Sequence, residues 1–250
     1  MVTVLAFIRV IIYFRLPELD NNHNTTEDSL FQSIKKVSQI PNYFAFCCYM
    51  LLIHFSIGAC PWVFNLLQKK YYHFSDGDLI WMGNMLAIGS LVGFFLGGKI
   101  NDRIGPRSIL FGCHLFFTLL LVLILIRDFI PITIFLLFAV ITFLFGLVRA
   151  ALSIAITTEI LYLMPKENTS LAAALGASLS AAGFALSGIL SGQALQLNLI
   201  NKKWTLLSNS MTEYDGLLII SCAMIILFIV TLGLIPSIKI KTGIIPMNKL

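Results

Sequence analysis

Charge is what this sequence has least of. Asp, Glu, Lys and Arg make up 12% of the 250 residues, against 58% hydrophobic residues. A soluble globular domain carries roughly 25% charged residues because its surface faces water. Half that share cannot cover a globule of this size, so the remaining surface faces lipid and a soluble enzyme is excluded. The mean hydropathy of +0.90 agrees.

Other absences narrow the chemistry. The five cysteines, Cys47, Cys48, Cys60, Cys113 and Cys222, sit in apolar stretches without metal-ligand spacing, so no metal and no redox centre is expected. No G-x-x-x-x-G-K-[ST] loop is present, which argues against direct ATP use. Ser187-Gly188 and Ser191-Gly192 lack the context of a serine nucleophile, and no two acids converge within one apolar run, so a membrane-embedded protease or headgroup transferase is a weak alternative. The net charge of +5 comes from basic residues scattered at the ends of apolar runs, not from a stripe, so nucleic acid is not an expected partner. Met1–Phe14 is apolar but interrupted by Arg9 and lacks a small-residue cleavage site, so it does not read as a signal peptide.

What is present is long apolar runs. Residues 1–42 read as a cytoplasmic segment and linker, with 1–14 as the possible remnant of a preceding span and a helix expected around Ser29–Val37. Six runs follow, near 43–67, 79–98, 108–126, 132–157, 170–197 and 217–236. Each is close to the roughly 20 residues that carry a helix across about 30 Å of hydrocarbon. Residues 43–236 are thus an all-α membrane bundle of six transmembrane helices, and 237–250 a cytoplasmic tail. One side of the membrane collects eleven Lys and Arg and the other five, which places both termini in the cytoplasm of a plasma or inner membrane. Gly89, Gly93 and Gly97 on the second run, and Gly188 and Gly192 on the fifth, recur every four residues and are expected at close helix contacts.

Between the second and third runs the chain reads Gly98-Lys-Ile-Asn-Asp102-Arg103-Ile-Gly105-Pro106-Arg107. Gly98 is expected to end one helix and Gly105 to turn the chain into the next. Asp102 is placed to accept hydrogen bonds from Arg103 or Arg107, or to meet a helix N-terminus. The loop resembles the G-x-x-x-D-R-x-G-R-[RK] signature of the major facilitator superfamily. Gly98, Asp102, Arg103, Gly105 and Arg107 match it, and Pro106 departs from it. A span arginine, Arg149, followed by Glu159 and Pro165, is similar to a pattern of the same family, with Ser153 where its glycine stands. The resemblance implies half of a major-facilitator fold, the C-terminal six helices being favoured, where a full member has about twelve. It also implies that the loop joins the two halves on the cytoplasmic side.

Polar side chains inside the runs are the candidate working residues. Arg149 is the first, because a charge deep in a span is costly and normally faces the bundle interior or a water-filled cavity. The bland reading is that it reaches the interface along its own stem. Glu159 lies ten residues on, about 15 Å along a helix and out of reach of Arg149. His54 and Asn84 complete the candidate solute or proton site, and Asn65, His114 and Gln193 have the blander role of hydrogen-bonding another helix. The resemblance implies secondary transport of a small solute by alternating access, without a cofactor, with a proton as one candidate coupling ion. The alternative is a truncated or split half, inactive until a second six-helix half joins it in trans or as a homodimer.

Overall fold

The computed structural model describes residues 39–164, 169–201, 203–206 and 209–234. The expectations for 1–38, 165–168 and 235–250, among them the remnant span, the helix at Ser29–Val37 and Pro165, lie outside them.

The first span is made of two helices and a wide turn. α1 (Pro41–Gly58) stops at Ala59, just before Pro61, which has no N–H to continue the ladder. α2 (Cys60–Leu66) carries on and widens into a π-helical turn over Leu67–Tyr71. His73, at φ 55°, then breaks the chain away. α3 (Asp76–Ile104) starts from a capping box: Asp78 N–H donates to Ser75 Oγ at 3.2 Å, and Ser75 N–H to Asp78 Oδ2 at 2.9 Å.

α4 (Pro106–Leu125), α5 (Ile134–Leu163) and α6 (Thr169–Gln196) are the next three spans. A two-stranded antiparallel hairpin follows, β1 (Lys203–Leu206) and β2 (Asn209–Thr212), in register with Trp204 opposite Met211. It leads directly into α7 (Glu213–Leu234), the sixth helix of the bundle. The expected six-helix membrane bundle is therefore present, with one short β element in a connection.

The helices pair in a repeated pattern. α3 packs along α5 and α1 along α6, while α4 sits against α5 and α7, and α7 against α1 and α2. Exchanging spans one, two and three for four, five and six maps this contact pattern onto itself, the arrangement of two nested three-helix repeats. The core lies among α1, α2, α4, α5 and α7, with Tyr43, Met50, Ile53, Phe117, Leu121, Phe138, Phe145 and Ile225 buried in it. α3 and α6 stand outside that core. Each buries only 17% of its most apolar stretch, against 61% for the first span.

Small residues set the two long pairings. A Cβ on Gly89 would come within 1.9 Å of Phe143 O, and one on Gly93 within 2.2 Å of Leu147 O. Gly97 meets Ala151 in the same way, so the expected α3 stripe is the contact face with α5. On α6 the expectation fails. A Cβ on Gly188 or Gly192 would meet nothing within 4 Å among the described residues, and the close approach to α1 is made by Gly183, where a Cβ would lie 2.4 Å from Leu51 O. A spacing of four marks one helix face without saying which neighbour that face meets. Four of the cysteines are buried and Cys48 is exposed, all as free thiols.

Candidate functional site

The signature loop is tighter than its sequence suggested. α3 runs through Gly98 to Ile104, so Gly98 does not end it. The turn is made by Gly105 alone, at φ +80° and ψ 160°, with Pro106 pre-set as the first residue of α4. Asp102 and Arg103 stay exposed on the last turn of α3, and Asp102 makes no hydrogen bond or ion pair among the described residues. The expected bond from Arg107 to Asp102 is replaced by another. Arg107 Nε donates to Glu159 Oε1 at 3.0 Å, from the first turn of α4 to the buried side of α5. The helix geometry explains the choice: Gly105 swings Arg107 away from α3 towards the end of α5.

One turn away the neighbouring position of the loop is also engaged. Asn101, buried, donates from Nδ2 to Thr158 Oγ1 at 3.1 Å. Three helices, α3, α4 and α5, are thereby stitched at the loop end of the bundle by side chains on two consecutive residues of α5. Asn101 escaped sequence reasoning because the signature treats its position as variable.

At mid-span two of the four candidate residues meet. Arg149 lies 15 residues after Ile134 and 14 before Leu163, so it is near the centre of α5 and about 20 Å from either end. An arginine stem does not reach either end of the helix. Its guanidinium carbon stands 5.2 Å from the centre of the Phe184 ring on α6. His54 on α1 packs edge-on against the same ring at 4.7 Å. The Met50 carbonyl can only accept, so His54 Nδ1 donates to it at 2.7 Å, and Nε2 of the neutral ring is left as an acceptor.

Arg149 itself is exposed from the bundle and makes no ion pair or hydrogen bond among the described residues. A guanidinium at the centre of a span costs about 2.5–3.5 kcal/mol or more. A cation–π contact returns about 0.5–2 kcal/mol. The ring therefore does not satisfy the charge, and the guanidinium is left with capacity for an anionic group.

Asn84 and Glu159 do not join this cluster. Asn84 is exposed on α3 without a hydrogen bond among the described residues, and Glu159 belongs to the loop-end stitch. Asn65 and Gln193 are exposed as well. His114 is fully buried, with Nδ1 held by Leu110 O and Nε2 accepting from Tyr49 Oη at 3.3 Å, the helix-to-helix role expected of it. Phe184 was not among the candidates, since a lone phenylalanine in an apolar run carries no signal.

From Phe184 a groove of about 520 Å³ runs between α6 and the first span towards the hairpin end of the molecule. Trp62, Val63 and Leu66 form one wall, and Ile189 and Leu195 part of the other. Gly188 and Gly192 lie in its floor, and their missing side chains keep it wide.

At the hairpin end, Arg127 and Asp215 form a buried ion pair. Both residues lie between apolar runs of the sequence, yet neither side chain has any exposure. Among the described residues no group of His, Cys, Asp and Glu is arranged to hold a metal ion.

The family model described as the Major Facilitator Superfamily matches the chain over residues 1–187 and again over 43–242. The helices of 43–187 thus fit it in both alignments. No curated protein and no solved structure matches the chain.

Proposed function

This chain belongs to the major facilitator superfamily, a family of membrane transporters, and from that premise we propose that it carries a small solute across the membrane by alternating access. The observation that supports this best is the Arg149 guanidinium near the middle of α5, without an ion pair or hydrogen bond among the described residues, beside His54 and Phe184 from two other helices. Transporters of this kind hold their solute near the bilayer midplane between helix bundles that rock against each other. The chemistry is binding and conformational exchange, with no covalent step and no cofactor.

The open side of α3 and α6 is where a second six-helix half would rest, supplied by another copy or by a separate partner. On this reading Asp102 and Arg103, exposed at the loop end, face that half and part from it as the cytoplasmic side opens. Both termini are cytoplasmic. A membrane-impermeant maleimide should then label Asp128→Cys in intact cells, and Arg103→Cys only after permeabilisation.

The deciding experiment is solute counterflow in proteoliposomes holding the purified protein in its native oligomeric state. Uptake that saturates, and that falls by about tenfold or more in Arg149→Ala, is the expected result, since the solute loses its charged anchor. A protein that stays monomeric in nanodiscs and exchanges none of a broad solute panel would sink the transport reading in favour of an inactive half.

A further inference from the structure

We propose that the solute is an amphipathic organic anion: its acid group sits at Arg149 and its apolar body lies along the Trp62 groove. The inference rests on the transport reading above and goes beyond it by naming the chemistry of the solute.

Three observations converge on it. Arg149 is a fixed positive charge with no acid partner among the described residues, and planar acid groups are what a guanidinium recognises best, through paired hydrogen bonds. Phe184 is shared: its ring lies against Arg149 and His54, and the same residue lines the groove. A ligand with its acid on Arg149 can therefore extend past Phe184 into the groove. The groove along that direction is apolar, apart from Ser191, and is of the size that takes a small organic molecule. Gly188 and Gly192, which have no packing duty, are accounted for as the floor that leaves room for it.

The position of His54 supports the arrangement. Its Nδ1 donates to Met50 O, and the imidazole packs against Phe184 at 4.7 Å, which helps hold in place the ring that lies against Arg149. A sugar or another neutral polyol fits poorly, because the groove offers hardly any hydrogen-bonding side chain. A cation is repelled by Arg149.

The test uses the full chain in nanodiscs, titrated with 4-bromobenzoate, whose bromine quenches tryptophan fluorescence. Saturable quenching is expected, lost in Trp62→Phe. The neutral isostere 4-bromobenzamide should bind about tenfold more weakly or worse, as a site built around a charge rejects the uncharged analogue. Arg149→Gln should weaken the carboxylate by a similar factor, and Arg149→Lys by less. Gly188→Leu should weaken both ligands, since it fills the groove without touching the charge.

Equal quenching by the amide and the carboxylate would overturn the proposal, marking the groove as a lipid-facing surface. If Arg149→Gln does not fold, the comparison of the two ligands on the unaltered protein still decides. The two readings fail separately. Carboxylate binding without counterflow would remove transport and keep the anion site. Counterflow of a neutral or cationic solute, with no carboxylate binding, would remove the anion site and keep transport.

Discussion

Arg127 and Asp215 meet in a two-pronged ion pair, Nη1 to Oδ1 at 2.5 Å and Nη2 to Oδ2 at 3.0 Å, with neither side chain exposed. The pair is fully furnished. Tyr72 Oη accepts from Arg127 Nε at 2.6 Å, Ile124 O from Nη1, and Thr212 donates to Asp215 Oδ2 from both its backbone N–H and its hydroxyl. The first, third and sixth spans are thus tied at the hairpin end. Because Arg107 pairs with Glu159 at the other end, α4 is fixed by an arginine near each of its termini.

Breaking the Arg127–Asp215 pair from one side leaves a buried charge alone, which costs about 3–5 kcal/mol. Arg127→Gln and Asp215→Ala should each lower the thermal midpoint in detergent sharply. The double variant Arg127→Met with Asp215→Leu should recover most of that loss. A double variant no more stable than the singles would show that the pair is not an isolated unit.

Tyr72 gives this end of the molecule a signature at high pH. Burial pushes its phenol up to about 12, with the Arg127 charge and hydrogen bond pulling the other way. An unfolded tyrosine ionises near 10. The folded protein thus holds a stability that is intact below pH 10 and is lost as pH rises towards 12. The loss is on the order of 1–2 kcal/mol, allowing for the ring's partial exposure. Chemical unfolding at stepped pH should show this fall in the unaltered protein and a flatter curve in Tyr72→Phe.

The glycines separate packing from spacing. Gly93→Ala pushes a methyl group against Leu147 O, and Gly89→Ala does so against Phe143 O, where the backbone of α5 cannot give. Either should cost about 2 kcal/mol or more and part α3 from α5. Gly112→Ala and Gly188→Ala meet nothing, and each should be neutral or stabilise by up to about 1 kcal/mol through helix propensity. Melting curves of the four variants check this directly.

The loop end should answer to a double-mutant cycle. Arg107→Ala strands the Glu159 carboxylate in a buried position, at a cost of about 1–3 kcal/mol. Glu159→Gln should return part of that loss when the two are combined, with a coupling of about 0.5–3 kcal/mol. A coupling near zero would mean that the contact is not a stabilising one.

The helices were legible in the sequence because lipid imposes a simple rule. Every backbone polar group must be paired within its own segment, so a long apolar run has one available structure. That set where the long helices run and where the loop between α3 and α4 falls. Gly105 could be read as the turn, since only glycine adopts its φ without strain. Arg149 could be read as a charge well inside an apolar run from its place there, and the α3 glycine stripe from its period.

The partners were not legible, because they depend on how helices face one another. Arg107 turns to Glu159 and away from Asp102 across a separation of 52 residues, and Arg127 reaches Asp215 across 88. Nothing local distinguishes such an arginine from one solvated in a loop. The same holds for Phe184, an ordinary apolar residue until α1 and α5 bring His54 and Arg149 to its ring. The sequence by itself determined that this protein crosses the membrane and where its chain turns, because solvation decides that residue by residue. Only the tertiary structure decided which charges are paired and which are left open, because that is set by the relative rotation of whole helices.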